Sequence, residues 1–443
     1  MKKRIKLLLC LCFALGAASV VQAQETLTLG QCIQMAVDNN LSLQRSRNEI
    51  VKGKHAISEN QARLLPQLNA VAQINDNFAP PVSVTDGRAY GKDYNVTKTL
   101  QYNASIGVQL QMPIYNQMAR TAVEISKIAS HLNELSYEKA REDIIMQTAQ
   151  TYYMAQNTLE QIRLVNDNIK LLQELRKITK AFYDNQMSLE VDLKRVDFNI
   201  EDLTVARDNA LSMLQQQYTM LKFILDYPAE KQIAVTGVNP GQIDEVKANG
   251  LSTGLYELQL LEQKRVLAQK QTKLAKDGYL PTVSLTGNIM YTAYTDKFKN
   301  WFHSGESNHW YGSNGIGIQV RMPLFDGFEK RSKVRKALAE EESARIGYED
   351  ALKRLQANYM NAVSEVENCQ RNYKKQYDNY ILAQEVYGVT AYQYKEGVTS
   401  MTAVLQDEMR ISEAMNKYVS SHFSYKMANL SLLKLTGQLD QLK

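Results

Sequence analysis

The sequence predicts an α+β membrane protein in which a tandem repeat supplies four β-strands and several long helices. A duplicated decamer is the first observation: GVQLQMPIYN begins at Gly107, and GIQVRMPLFD begins 210 residues later, at Gly317. Proline is absent between Pro113 and Pro228 and after Pro323, which favours long uninterrupted helices. The chain also begins with an export signal.

The N-terminus has the pattern of a secretory signal peptide. Four basic residues come first: Lys2, Lys3, Arg4 and Lys6. An apolar run follows over 7–21, and small residues near Ala23 predict cleavage after that residue. A retained membrane anchor is the alternative, but the run is short for a spanning helix. Cys10 and Cys12 lie inside the run, a poor context for lipid attachment, so we expect no lipid anchor.

The mature chain is expected to have almost no net charge. Of the 52 basic residues, four leave with the signal, whereas all 47 acidic residues remain. This balance gives no electrostatic footprint for nucleic acid. No later segment reaches the length of about eighteen apolar residues that a transmembrane helix needs. An exported chain of this kind is either soluble or inserted into a membrane in another way.

Each decamer is the second strand of a predicted pair. The earlier strand is duplicated too, because LLPQLNAVAQI from Leu64 matches GYLPTVSLTGNI from Gly278. Apolar and polar residues alternate along all four strands, and each run has about ten residues, the length of a tilted membrane-spanning strand. A half-buried sheet in a soluble domain is the alternative that the alternation leaves open.

The connections within the two strand pairs are long and polar. Segments 76–101 and 295–313 are rich in Gly, Asn, Asp and Ser, as in the outer loops of membrane barrels. Aromatic residues suited to a membrane interface lie in or beside the second segment: Trp301, Phe302, Trp310 and Tyr311. His303 and His309 could bind a metal, but histidines in such a loop are more often solvated, so no metal or cofactor is predicted.

Helices are predicted directly after the strand-to-helix junctions. Asn116 and Asp326, three residues after Pro113 and Pro323, are good N-cap residues. Each helix is predicted to run about seventy residues, or roughly 100 Å, to a polar break. The breaks and the returning helices are assigned by pattern: breaks at 184–186 and 395–397, and helices over 189–225, 253–276, 401–435 and 29–63.

Apolar residues of the first long helix form two stripes. One stripe contains Ile162, Val165, Ile169 and Leu172, and the other contains Leu164, Leu171, Leu175, Ile178 and Phe182. Their spacings favour coiled-coil packing with neighbours on two sides. Along such helices Cys32 and Cys369 would lie roughly 50 and 65 Å from the strand ends. We therefore expect two free, buried thiols and no disulfide.

Four strands cannot close a membrane barrel, because single-chain barrels begin at about eight strands and an open sheet leaves unsatisfied backbone groups in lipid. Strands pooled from two copies would give eight, and from three copies twelve, which leaves room for a passage. The predicted segments are a signal peptide (1–23), a helix (24–65), a strand pair (66–115), a helical hairpin (116–227), an insert (228–252), a return helix (253–280), a second strand pair (281–325) and a second hairpin with the C-terminus (326–443).

The doubled strand pairs, the MPLFDG junction and the equal long helices resemble the TolC-type outer-membrane efflux protein family over nearly all of the mature chain. The resemblance implies a homotrimer with a twelve-stranded β-barrel and a long coiled-coil α-helical barrel in the periplasm of a Gram-negative bacterium. It also implies outer-membrane lipid around the strands, and docking to a periplasmic adaptor protein and an inner-membrane pump. Such a protein is a passive duct that catalyses no reaction and needs no cofactor.

The resemblance further implies a gate near the inner helix turns. Asp192 stands where the family has an acidic latch residue, and Tyr394 stands where a tyrosine bonds it. Thr399 replaces the arginine partner of the family. We therefore expect a gate with a weak ionic latch. A solvated helix charge is the alternative for Asp192.

Two further sets of positions are assigned by the resemblance. Ala403 and Gln406 occupy the places of the aspartates that narrow the tunnel, and Asp407 lies one position further on, so we expect a mouth less selective for cations. The adaptor-facing turns comprise Asn185, Gln186, Met187, Gly397 and Val398. Gln186 replaces the glycine that the family usually has in the first turn.

Three other functions compete with the duct. The chain has no nucleophile elbow, phosphate-binding loop or paired His/Cys ligands, which disfavours an enzyme. A periplasmic coiled-coil scaffold would explain the helices but not four strands of membrane length. A duct for exported polypeptides would have the same fold as a duct for small toxic compounds, so the sequence leaves both kinds of cargo open.

Overall fold

The computed structural model describes residues 25–239, 250–302 and 310–442. The predicted signal peptide, His303, His309 and part of the insert lie outside these residues. The chain forms two compact units. One unit comprises the described residues within 1–47, 136–259 and 350–443 and is mostly helical. The other comprises 48–135 and the described residues of 260–349, and contains a four-stranded sheet.

The four predicted strands form one antiparallel sheet, which confirms the duplicated strand pairs. In chain order they are β2 (Gln67–Asp76), β5 (Tyr102–Tyr115), β7 (Thr282–Thr295) and β8 (Trp310–Arg321). Their order in the sheet is β2-β5-β7-β8. The first pair and the second pair are therefore adjacent, and β5 and β7 form the junction between them.

The described residues contain seven helices, which come before, between and after the strand pairs in the sequence. They are α1 (Leu29–Asn39), α2 (Leu41–Ala62), α3 (Gln117–Asp184), α4 (Glu190–Leu225), α5 (Tyr256–Asp277), α6 (Glu329–Lys395) and α7 (Met401–Leu435). The two long helices have 68 and 67 residues, as their proline-free sequences predict. Asn116 caps α3 as expected, because its side-chain oxygen accepts a hydrogen bond from the Ala119 N–H at 3.0 Å.

The structure differs from the predicted helices at two places. The helix expected over 29–63 is broken at Asn40, whose side chain accepts a hydrogen bond from the Ser42 N–H at 2.9 Å and donates one to the Ile224 carbonyl at 2.9 Å. Asp326 does not immediately precede α6, which starts at Glu329, because Gly327 and Phe328 both have positive φ. Its carboxylate still accepts a hydrogen bond from the Lys330 N–H at 3.1 Å.

Four short strands were not predicted from the sequence. The strands β3 (Val82–Asp86) and β4 (Tyr94–Lys98) form a hairpin inside the first long loop. The strands β1 (Glu25–Leu27) and β6 (Ile233–Val235) pair in parallel in the helical unit. There the Tyr152 hydroxyl of α3 donates a hydrogen bond to the Leu27 carbonyl at 3.1 Å and lies 2.6 Å from the Thr236 hydroxyl of the insert, so both segments contact α3.

Helices α3, α4, α6 and α7 share the largest core cluster of the helical unit. Most members of both predicted stripes of α3 lie in or against this cluster, whereas Ile162 lies in a second cluster with α1 and α4. Cys32 and Cys369 are free and buried, which confirms the prediction for both thiols. Burial raises their pKa values to about 12 and about 11, so both remain protonated at neutral pH.

Candidate functional site

One face of the sheet is apolar and exposed across all four strands. The register places Leu68 opposite Leu110, and Val108 opposite Ile289, so the apolar positions of neighbouring strands align. Most of these side chains and those of β8 stay exposed, whereas Leu110 is half-buried. Five apolar side chains line a shallow depression of about 440 Å³: Leu68, Val108, Leu110, Ile289 and Ile316. A half-buried sheet would cover this face, so the alternation here is not that of an ordinary sheet core.

The opposite face of the sheet is mostly polar. Gln73, Gln109 and Gln319 lie on it, together with Ser and Thr side chains. A sheet that is apolar on one side and polar on the other fits the wall of a membrane pore, with lipid outside and water inside. Among the described residues, no helix is both long and apolar enough to cross a membrane.

The two turns predicted to face the adaptor have the same backbone geometry. In the α3–α4 turn, the Met187 N–H donates to the Phe182 carbonyl at 2.8 Å, and the Gln186 N–H to the Tyr183 carbonyl at 2.9 Å. In the α6–α7 turn, the Val398 and Gly397 N–H groups make the same two bonds at 2.9 and 3.0 Å. Both are helix C-caps of the Schellman type, which require a left-handed residue.

The left-handed residue differs between the turns. Gly397 has a φ of 75° and Gln186 has a φ of 61°. Gln186 therefore adopts the glycine-like conformation despite its side chain, at a cost of roughly 1–2 kcal/mol. Met187 and Val398 follow these residues and are exposed, so each turn presents an apolar side chain at its tip.

Asp192 and Tyr394 form no hydrogen bond with each other in the structure. The Asp192 carboxylate accepts hydrogen bonds from Arg195 at 3.3 Å and from the Ser188 hydroxyl at 3.4 Å, both on or next to its own helix. Tyr394 is buried, and its ring lies 5.5 Å from that of Phe182. Its hydroxyl has no hydrogen-bond partner among the described residues. Thr399 is half-buried in the α6–α7 turn.

The positions assigned to the constriction have different surroundings. Gln406 is exposed and Ala403 is half-buried. Asp407 is buried, and its carboxylate accepts hydrogen bonds from the Thr390 hydroxyl at 2.7 Å and from Arg410 at 3.1 Å. The hydrogen bond from Thr390 joins this side chain to α6.

A buried carboxylate that was not predicted from the sequence lies next to these residues. Glu408 accepts a hydrogen bond from the Asn168 amide at 2.9 Å and one from the Ser412 hydroxyl at 3.0 Å, which joins α7 to α3. Burial raises its pKa, and these two hydrogen bonds oppose the rise. The signal was available: Glu408 lies seven residues from both Met401 and Met415, inside an apolar stripe of coiled-coil spacing.

Tyrosines line the interior of the second hairpin at intervals of seven residues. They are Tyr373, Tyr380, Tyr387 and Tyr394 on α6, all buried. Tyr373 stacks on Tyr418 and Tyr425 of α7, with ring centroids 5.9 and 5.7 Å apart. No group of three His, Cys, Asp or Glu side chains that could hold a metal ion occurs in the described part of the chain.

Comparison with known proteins agrees with this architecture. The family model for the outer membrane efflux protein matches residues 32–223 and 256–438, well over half of the chain. Outer membrane protein TolC of Escherichia coli (strain K12) is 21% identical over 458 residues, covering 100% of this chain and 87% of that protein. TolC of Salmonella enteritidis is 22% identical over 460 residues, with the same coverage.

Solved structures share the fold at low sequence identity. The CusC channel superposes with a TM-score of 0.76 at 15% identity, covering 94% of this chain and 95% of CusC. The outer membrane protein VceC of Vibrio cholerae superposes with a TM-score of 0.73 at 16% identity, covering 92% and 96%. The chain belongs to the outer membrane efflux protein family, whose members lie in the outer membrane of Gram-negative bacteria and extend into the periplasm.

Proposed function

We propose that this protein is the outer-membrane duct of a tripartite efflux or type I secretion system. It would conduct substrates passively from an inner-membrane pump and a periplasmic adaptor to the outside, without catalysis or a cofactor. The observation that carries the proposal is the four-stranded sheet with one largely exposed apolar face, from which two helices of nearly seventy residues continue along the chain. A soluble scaffold or a soluble enzyme would not expose an apolar face of this size to water.

The sheet supports a trimer as the working form. Its apolar face needs lipid, but its two edge strands would leave backbone groups unpaired in the membrane. Three copies would pool twelve strands, enough to enclose a passage lined by the polar face. The two-sided packing of the long helices would then continue this wall as a coiled-coil α-helical barrel in the periplasm.

The two turns are the proposed contact sites for the adaptor. Both present an exposed apolar residue, Met187 or Val398, on the same backbone frame. An adaptor that recognises one turn could therefore use similar contacts at the other. The side chains beside the tips differ, because Asn185 precedes the left-handed residue in one turn and Glu396 in the other.

The gate is proposed to lie in the same region, with Asp192 as its acidic residue. In the protomer this carboxylate is held by Arg195 and Ser188, while the Tyr394 hydroxyl has no partner among the described residues. A latch made by Asp192 would thus draw on contacts along its own helix. Such contacts are partly exposed and weak, in line with a gate that lacks the family's arginine at Thr399.

Single-channel conductance in a planar bilayer tests the duct and the latch together. We expect the purified wild-type protein to show a small conductance that rises in Asp192→Ala. Asp208→Ala is the matched control, because Asp208 is another α4 carboxylate paired with an arginine of its own helix. An equal rise in both variants would remove Asp192 from the gate but keep the duct. Folded, trimeric protein that forms no pore would contradict the duct itself.

A further inference from the structure

The sheet has two open edges within one copy of the chain. Each of β2 and β8 pairs with one other strand among the described residues, whereas β5 and β7 pair on both sides. If the chain works as the trimeric duct proposed above, on which this inference rests, each edge meets a strand of a neighbouring copy. The internal repeat determines how these strands align.

The repeat preserves strand register between its two halves. Pro66 corresponds to Pro281, and Pro113 corresponds to Pro323. In the first half Leu68 lies opposite Leu110. The counterparts of these two residues in the second half are Val283 and Val320. They also lie opposite each other, in the pairing of β7 with β8. The two strand pairs are therefore equivalent residue by residue.

The pairing of β5 with β7 shows how the two halves of the repeat align with each other. It joins the second strand of the first half to the first strand of the second half, with Val108 opposite Ile289. We propose that the same contact recurs between copies, so that β8 of one copy pairs antiparallel with β2 of the next and Ile318 lies opposite Ile74. The register then fixes the neighbouring pairs as Val320 with Ala72 and Gln319 with Gln73.

The chemistry of the strands agrees with this register. Ile318 and Ile74 both lie on the apolar face and are 68% and 64% exposed in the protomer, so the proposed contact extends that face across the seam. Gln319 and Gln73 both lie on the polar face, where each can bond the amide of the other. A slip by one residue would set apolar against polar side chains along the whole seam.

A glycine gives independent support. At Gly107 a Cβ would lie 2.2 Å from the Ile289 carbonyl of the neighbouring strand, so the β5–β7 contact requires glycine there. Gly317 is its counterpart in β8, yet within the protomer a Cβ at Gly317 would meet nothing closer than 3.7 Å. The proposed register brings the Ile74 carbonyl of the next copy to the place that the Ile289 carbonyl occupies at Gly107.

Disulfide crosslinking in outer membranes tests the register. Cα atoms of directly opposed residues are about 4.5–5.5 Å apart, inside the range of about 4.4–6.8 Å that a disulfide spans. The full-length variant Ile318→Cys/Ile74→Cys should therefore give linked dimers and trimers after mild oxidation. Two shifted variants, which combine Ile318→Cys with Ala72→Cys or with Asp76→Cys, set the thiols on diagonal positions about 7–8 Å apart.

Two controls calibrate the experiment. Val108→Cys/Ile289→Cys is the repeat-equivalent pair inside one copy and should form an intrachain disulfide under the same conditions. The unmodified protein reports on Cys32 and Cys369, whose burial and raised pKa values predict no crosslinking. Blocking free thiols before denaturation prevents exchange on the gel.

The expected result is several-fold more crosslinking for the 318/74 pair than for either shifted pair. Stronger crosslinking of a shifted pair overturns the register while leaving the trimer in place. The register is also overturned if no intermolecular crosslink forms in protein that is trimeric by native mass and forms the 108/289 disulfide. A monomeric native mass would instead contradict the assembly in the proposed function, and the seam with it.

Discussion

The hairpins α3–α4 and α6–α7 share a backbone but differ inside. Counted from their matching turns, Ile162 and Ile169 of the first hairpin correspond to Tyr373 and Tyr380 of the second. Further toward the turn, Arg176 corresponds to Tyr387, and its ion-pair partner Asp197 corresponds to Glu408. Aliphatic side chains and a half-exposed ion pair in one hairpin thus stand where the other has stacked tyrosines and a buried acid.

The difference shows which parts of a duplicated unit remain constrained. The turns make the same backbone hydrogen bonds, although one has glycine and the other glutamine at the left-handed position. Backbone bonds depend on conformation and tolerate different side chains. Interior contacts depend on the side chains themselves, so the two hairpins are expected to respond differently to equivalent substitutions.

The largest difference is expected for truncation of the interior. Tyr373→Ala removes a ring stacked on Tyr418 and Tyr425, and should lower stability by about 3–5 kcal/mol. Ile162→Ala is the equivalent truncation in the first hairpin. It should cost about 1 kcal/mol less, because no aromatic pairs are lost. Thermal loss of helical circular dichroism in detergent measures both, and an equal loss would mean that the stacks add nothing to packing.

A pH-dependent difference is expected from Glu408. Burial raises its pKa in the folded protein, and the groups that face it are Asn168, Ser412, Tyr387 and Asp202, none of them a cation. The folded state therefore favours the protonated acid. This contribution to stability is present below the ordinary glutamate pKa and is lost as the pH rises through the raised value.

Glu408→Gln should remove this dependence on pH. The amide can keep both hydrogen bonds, so the variant should be more stable than the wild type at pH 8 by about 1.4 kcal/mol for each pKa unit of the shift. Melting curves at pH 4 and pH 8 measure the effect. Glu413→Gln is the control, because Glu413 is exposed on the same helix and paired with Lys417. A wild-type slope that persists in Glu408→Gln would show that another group causes it.

Exchanging the turn residues should give a smaller and opposite pair of effects. Gly397→Gln places a side chain in the left-handed region and should cost about 1 kcal/mol, whereas Gln186→Gly relieves that strain and should stabilise its turn by up to about the same amount. Limited proteolysis at the turns, read with the melting temperature, measures both. Equal losses in the two variants would show that the Gln186 side chain makes a stabilising contact that outweighs its strain.

The sequence predicted those elements whose signals are local. Alternation located the four strands, and the absence of proline located α3 and α6, because each pattern extends over many residues. The break at Asn40 could not be read in this way, since it depends on a hydrogen bond to Ile224, far along the chain. The three-residue strands β1 and β6 are too short to show a pattern, and they depend on Tyr152.

The same distinction between local signals and long-range contacts holds for the candidate site. The turns were located because Gly397 and the polar residues around Gln186 interrupt long apolar stripes. The partners of Asp192 and the direction of Asp407 depend on helix rotation, which residue spacing defines only approximately. Glu408 could have been found from its position in a heptad stripe, but its partner Asn168 lies 240 residues away in sequence.

The smallest effect is expected for the ion pair that replaces the Tyr387–Glu408 position in the first hairpin. Arg176 and Asp197 are 43% and 44% exposed in the protomer, so their coupling should be weak. A double-mutant cycle with Arg176→Ala and Asp197→Ala, measured at low and high salt, should show a coupling that salt screens. A strong coupling that survives high salt would require a desolvated pair. Because the protomer leaves both side chains half-exposed, that result would mean that a neighbouring copy covers them, and the first hairpin would then have a buried charge of its own.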